Sequence, residues 1–247
     1  MRKRTNTVVA LVAMVGIGLI AGYGPGAPAG AVPHPGLAPA TAVDPADFTT
    51  PVQNPYFPLE PGTVSILRGS EDGERLVNRT TITAWKKVIQ GVTTTVVNDV
   101  LYADGVLLEK TTDWYAPDNS GTVWYFGEAT AEYNDRGQVV SREGSWQAGV
   151  DGAVAGIIMT ANPGPTDAYR QEFYKGHAED QGWIVARHQV ADVPYGKVDQ
   201  VVRSYEWTRL EPGVVSVKFY GPGLGIIREK DVAGGTELLE LVKVEHT

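Results

Sequence analysis

Three carboxylates and a run of aromatic rings within one short stretch are the residues of this chain best suited to chemistry. The stretch runs from Glu109 to Glu132, EKTTDWYAPDNSGTVWYFGEATAE. Residues 109–116 and 121–132 are rich in Thr, Trp, Tyr and Phe, which suit a pleated, half-buried surface, and PDNSG between them supplies turn chemistry. Pairing Ala116 with Gly121 sets Tyr115 opposite Thr122, Asp113 opposite Trp124, Thr111 opposite Phe126 and Glu109 opposite Glu128. Like charges in direct opposition destabilise a sheet unless a cation lies between them or one carboxyl keeps a proton. A proton-holding pair can do acid–base catalysis of a hydrolysis or cyclisation. A bridged pair would hold a divalent metal ion, and the same groups beside aromatic rings would hold a small ligand by its polar or cationic end. Solvation of both carboxylates, or neutralisation by Arg79 and Lys110, explains the pattern with no site at all.

The elements that must position these groups are hairpins. Asp104-Gly105 is a strong two-residue turn signal that pairs Tyr102 with Leu107 and Val100 with Glu109. Gln90-Gly91 pairs Trp85 with Val96, Thr83 with Asn98 and Arg79 with Tyr102. Side chains alternate across a strand, so the expected wall of a pocket carries Arg79, Trp85, Tyr102, Tyr115, Trp124 and Phe126 as ligand contacts. Glu109, Asp113 and Glu128 are the catalytic candidates if the protein is an enzyme. The opposite face, with Ile82, Val97, Leu101 and Trp114, is expected to pack. A one-residue slip in any hairpin would redistribute the two sets.

The N-terminus has the form of a secretory signal, with Arg2, Lys3 and Arg4 before an apolar run from Val8 to Ile20. Ala27-Pro28-Ala29 and Ala29-Gly30-Ala31 are both suitable cleavage sites, so the cut is expected near Ala29 or Ala31. That run is shorter than the ~20 residues a spanning helix needs, and no stable membrane insertion is expected after cleavage. The chain has no cysteine, so it has neither a lipidation site of that kind nor a disulfide. Losing the three basic residues takes the formal charge from −8 to −11. Such a charge disfavours nucleic acid and anionic membranes as partners and suits cationic ligands or metal ions.

Residues 1–29 are therefore expected to be the signal, 30–55 a Pro/Ala-rich leader, and 56–247 a single antiparallel β domain. Within NPYFPLEPG, Tyr56, Phe57 and Leu59 are expected to tuck against the core. Strands are expected at 63–68, 74–89, 92–102, 106–116 and 121–133, and again at 181–191, 197–209, 213–220, 224–231 and 236–245. The glycine-rich middle, 134–167, gives no regular signal. Evenly spaced strands with turns between them imply an all-β protein, a long curved meander closing into a half-barrel or barrel of LolA or lipocalin type. Gly221-Pro-Gly-Leu-Gly225 lies between two strands, so it is a hairpin and not a phosphate loop. Glu172, His177 and Asp180 are the one local set of possible metal ligands, although their spacing matches no metal motif, and a solvated turn explains them as well.

Val193 to Glu229, with Pro194-Tyr-Gly196, Phe219-Tyr220, Pro222-Gly-Leu-Gly225 and Ile226-Ile-Arg228, resembles exported bacterial proteins of LolA-like half-barrel type. That resemblance implies a long sheet curled around an apolar groove holding a lipid-like ligand, a use to which Glu109, Asp113 and Glu128 are ill suited. The stretches DWYAPDNSGTVWYFGE, GSWQAGVDG and RQEFYKGHAED resemble a group of uncharacterised secreted actinobacterial proteins, which implies export and no particular activity. The expectation is a secreted binding protein for a small, partly apolar ligand. The alternative is a secreted hydrolase or cyclase using a carboxylate pair in the same pocket, with or without a divalent metal ion.

Overall fold

The computed structural model describes residues 43–246. Five long strands come first, β1 (Thr63–Glu71), β2 (Glu74–Ile89), β3 (Val92–Ala103), β4 (Val106–Pro117) and β5 (Val123–Tyr133). Short strands follow: β6 (Val139–Ser141), β7 (Trp146–Gln147), β8 (Val154–Met159), β9 (Ala168–Arg170) and β10 (Glu172–Phe173). The chain ends in β11 (Asp180–Val193), β12 (Gly196–Thr208), β13 (Val215–Gly221), β14 (Gly225–Ala233) and β15 (Leu238–His246). All ten long strands lie where the alternating Thr, Val and aromatic pattern puts them. Of the five short ones, β6 to β8 fall in the glycine-rich middle, where the sequence carries no period, and β9 and β10 just beyond it, where Tyr169, Gln171 and Phe173 alternate with Arg170 and Glu172.

The fifteen strands form one antiparallel sheet in which the first and last meet, β1 pairing with β15. From that seam the sheet runs through β2, β3, β4, β5 and β8 on one side and β14, β13, β12 and β11 on the other. The two ends come together through one stretch of chain: β10 pairs with β8, and β9, just before it, pairs with β11. The sheet is thus nearly closed into a barrel, as the meander implied. Closure removes the unpaired edges that an open sheet of this length would expose.

Glycine is required where backbone comes close, as at Gly156 and Gly127. Gly156 lets β8 reach the closing stretch, since a Cβ there would sit 2.2 Å from the Gln171 carbonyl oxygen. Gly127 has φ 129°, and a Cβ on it would come within 2.3 Å of the Trp146 carbonyl oxygen, where β7 lies against β5. Gly127→Ala is expected to lower stability in urea by ~3 kcal/mol or more. Gly73→Ala shares the positive φ but meets nothing within 4 Å, so its loss should stay near the ~1 kcal/mol of left-handed backbone alone. Equal losses would show that crowding at β7 is unimportant.

The packed chain begins before Tyr56. A short 3-10 turn, Pro45–Phe48, is capped by Asp44. Phe48 meets Trp124 and Phe126 edge-on, at 6.2 and 5.7 Å between ring centroids. Asn54 is buried and donates to the carbonyls of Gly121 and Thr160. Phe57 and Leu59 are buried in the core. The expected signal segment, 1–29, lies outside the described residues. No helix among the described residues is long and apolar enough to cross a membrane.

Candidate functional site

The interior of the barrel is acidic. Alternation along the strands points Asp99 of β3, Glu109, Thr111 and Asp113 of β4, and Glu128 and Thr130 of β5 inward with the apolar core. From the C-terminal half come Glu172, Asp180, Glu206, Lys218, Glu229, Asp231 and Glu237, all buried. Together with Glu71 the described residues include eleven buried carboxylates against one buried cation, Lys218. Lys218 cannot neutralise them all, so most must hold protons or find another partner.

The hairpin register differs from the expected one, and this changes the wall. Glu109 pairs with Glu132 and Asp113 with Glu128, instead of Glu109 with Glu128 and Asp113 with Trp124. A bulge at Asp113/Tyr115 then brings Tyr125, not Thr122, opposite Tyr115. A second bulge at Leu101/Tyr102 sets Glu109 opposite Leu101, which leaves Tyr102 half-buried on the other face. A third, between Ile82 and Lys86, turns Trp85 out to 70 % exposure and pairs Arg79 with Val100 rather than Tyr102. Arg79 is exposed. Each extra residue inverts which side chains face in. Of the expected ligand contacts, Tyr115 and Phe126 are fully buried, whereas Arg79, Trp85, Tyr102 and the half-buried Trp124 line no common wall. The Trp124 indole donates to Asp118 in the turn.

What the structure does bring together is a hydrogen-bonded chain across β4 and β5. The Tyr125 hydroxyl lies 2.6 Å from Asp113 Oδ1 and 3.1 Å from Glu128 Oε2. Thr130 Oγ1 donates to the same Glu128 oxygen at 3.2 Å and meets Thr111 Oγ1 at 3.0 Å. Thr111 in turn is 3.1 Å from Glu109 Oε1. Tyr125 has a single hydroxyl hydrogen, so it serves one carboxyl and the other contact is made by a carboxylic O–H. Burial pushes Asp113 up to about 8, against the hydrogen bond from Tyr125. Glu109 is also raised to about 8, by burial and then by Asp99. Glu128 is held well above the carboxylate range by burial, then by Glu172, Asp113 and Glu109. Tyr115 stacks on Tyr125 at 4.5 Å and Trp146 meets Tyr125 edge-on, sealing this chain from solvent.

The possible metal set does not assemble. Glu172 is fully buried, while His177 is exposed, stacked on Tyr174 and 3.2 Å from Glu143. No three possible ligands converge among the described residues. Neither Glu172 oxygen makes a hydrogen bond of good geometry, even to the Trp146 indole beside it. Burial and then Asp180 raise Glu172 well above the carboxylate range, with Trp146 and Lys218 acting in the other direction.

A small opening into the interior lies elsewhere, on β11, β12, β13 and the turn between the last two. A recess there is lined by Asp180, Glu206, Trp207, Thr208, Glu211, Val214, Ser216 and Lys218. Water-sized groups have about 20 Å³ of it to occupy, room for about one water. Lys218 Nζ bridges Glu206 Oε2 at 3.1 Å and Glu229 Oε1 at 3.2 Å. Burial opposes its charge, but the two carboxylates outweigh burial and hold it above the usual lysine range. Burial likewise opposes the charge of Glu206, and Lys218, Gln171, Tyr220 and Ser204 overcome it and keep Glu206 ionised. Of these groups the sequence reading reached only Asp180. The available signal was the alternation of Ser204-Glu206-Thr208 with Ser216-Lys218-Tyr220, two strands that each offer a polar face.

No family model matches the chain, and no curated protein matches it. Among solved structures, one similar in shape is described as a "putative exported protein with YmcC-like fold" from Bacteroides fragilis. It is 15% identical, covers 77% of this chain and 98% of its own, and has a TM-score of 0.45. Another, a "putative lipoprotein" from Parabacteroides distasonis, is 11% identical, covers 78% and 100%, and has a TM-score of 0.42.

Proposed function

We propose that this is an exported binding protein whose acidic barrel interior takes a small, partly apolar ligand by a cationic end. The observation that supports this reading is that the described residues include eleven buried carboxylates and a single buried cation. Burying carboxyl groups without partners is unfavourable, yet both oxygens of Glu237 and one of Glu128 lack a hydrogen bond, and those of Glu172 make none of good geometry. A fold under no other demand would fill such positions with apolar side chains. Export rests on the Arg2-Lys3-Arg4 and Val8–Ile20 leader pattern. The recess around Lys218, with about 20 Å³ to fill, does not fit a fatty chain.

Catalysis by Asp113 and Glu128 is the weaker reading. Each is only 1% exposed, so a substrate has no open face from which to reach either group. Native mass spectrometry of the protein from its secretion medium tests the binding reading. A retained organic mass carrying a basic nitrogen is the expected result. An empty spectrum, together with turnover of a hydrolase substrate that Glu128→Gln abolishes, would replace binding with catalysis.

A further inference from the structure

We propose that the recess bounded by Asp180, Glu206, Thr208, Glu211, Ser216 and Lys218 is a site for a primary ammonium group, carried on a short apolar stem lying along Trp207 and Val214. This rests on the binding reading above and gives it a location and a head group. The location departs from the aromatic wall of β4 and β5, which is closed.

Size, charge and unmet hydrogen bonding all point to this head group. The space available, about 20 Å³, suits one water-sized group and excludes a quaternary or guanidinium head. The positive charge already present is spoken for, since Lys218 is paired with both Glu206 and Glu229. Glu211, partly exposed, has no cation within ion-pair distance among the described residues, and Asp180 also lines the recess. An anion entering here would meet carboxylates. Ser216 Oγ lines the recess, is 2% exposed and has no hydrogen-bond partner. Behind Ser216 stands its cross-strand neighbour Asp231, whose Oδ1 is likewise unpaired. An ammonium offers three N–H donors from one small centre, which is what a serine hydroxyl and flanking carboxylates can accept. A metal ion would need ligands that converge, and no such trio occurs among the described residues.

The test is calorimetric titration of the full secreted chain with n-butylammonium chloride, beside tetramethylammonium and butan-1-ol. Butylammonium should bind and the other two should not. Glu211→Gln, at a partly exposed position, should weaken binding about tenfold, as expected for loss of one charge-assisted contact. Glu211→Lys should abolish binding by placing the chain's own ammonium in the recess. Circular dichroism of each variant shows whether it is folded, and Ser216→Ala gives a second, smaller loss if either charge variant fails to fold. Equal binding of butan-1-ol, or butylammonium binding that survives Glu211→Lys, would overturn the site. No butylammonium binding, with an organic mass still retained from the secretion medium, would overturn this site and leave the binding reading standing. Absence of both would remove the two together.

Discussion

Raising the pH from about 5 to about 8.5 should cost this protein a large part of its stability, the reverse of ordinary acid denaturation. Glu109 and Asp113 are raised to about 8 from ordinary values of 4.5 and 3.8, mainly by burial. Glu71 is raised to about 8 by burial, with Asp231 next, and Glu229 to about 7 by burial against the pull of Lys218. In the unfolded chain these groups ionise near pH 4, so between about pH 4 and pH 8 the folded state holds the extra protons. Stability therefore falls as pH rises through that window, being full below it and lost above it. One carboxyl moved that far amounts to roughly 5 kcal/mol taken alone. Even half of that is a large share of the ~5–15 kcal/mol that keep a domain folded. Urea denaturation at the two pH values measures the loss. Glu128→Gln supplies a permanent neutral isostere of the protonated acid, so it should be nearly silent at the lower pH and stabilising at the higher one. A stability that rises towards pH 8.5, or a Glu128→Gln variant equally destabilised at both, would show these carboxyls to be ionised in the fold.

Lys218→Met should destabilise the protein by ~3–5 kcal/mol near neutral pH, the usual result of leaving a buried charge unpaired. Lys218 is 2% exposed and lies between Glu206 and Glu229. Glu206 also accepts from Ser204 and Tyr220 at 2.7 Å, so it is built to stay charged. Removing the ammonium leaves that charge without its counter-ion. Two further measurements separate lost charge from lost packing. The defect should shrink at acid pH, where Glu206 takes up a proton, and Glu206→Gln in the Lys218→Met background should recover part of it. A defect independent of pH, with no recovery in the double variant, would mean that Lys218 contributes packing alone.

The sequence by itself determined the ten long strands and the fold class. Each of the ten long strands carries a two-residue alternation over nine or more positions or lies between strong turns such as Asp104-Gly105, and both signals are local. It also placed Glu109, Asp113 and Glu128 in one sheet with Tyr115. Local signals do not report bulges, because an extra residue changes neither composition nor strand length. Three of them, at Ile82/Lys86, Leu101/Tyr102 and Asp113/Tyr115, decided which side chains face in. They moved Arg79, Trp85, Tyr102 and Trp124 off the expected wall and put Asp99 and Tyr125 beside the carboxylates. The recess around Lys218 was equally out of reach, since strand period does not report which inward positions of β11, β12 and β13 leave space unfilled. Strand period is a property of neighbours in sequence; the inward face of a barrel depends on where each register slips and on which strands closure brings opposite one another.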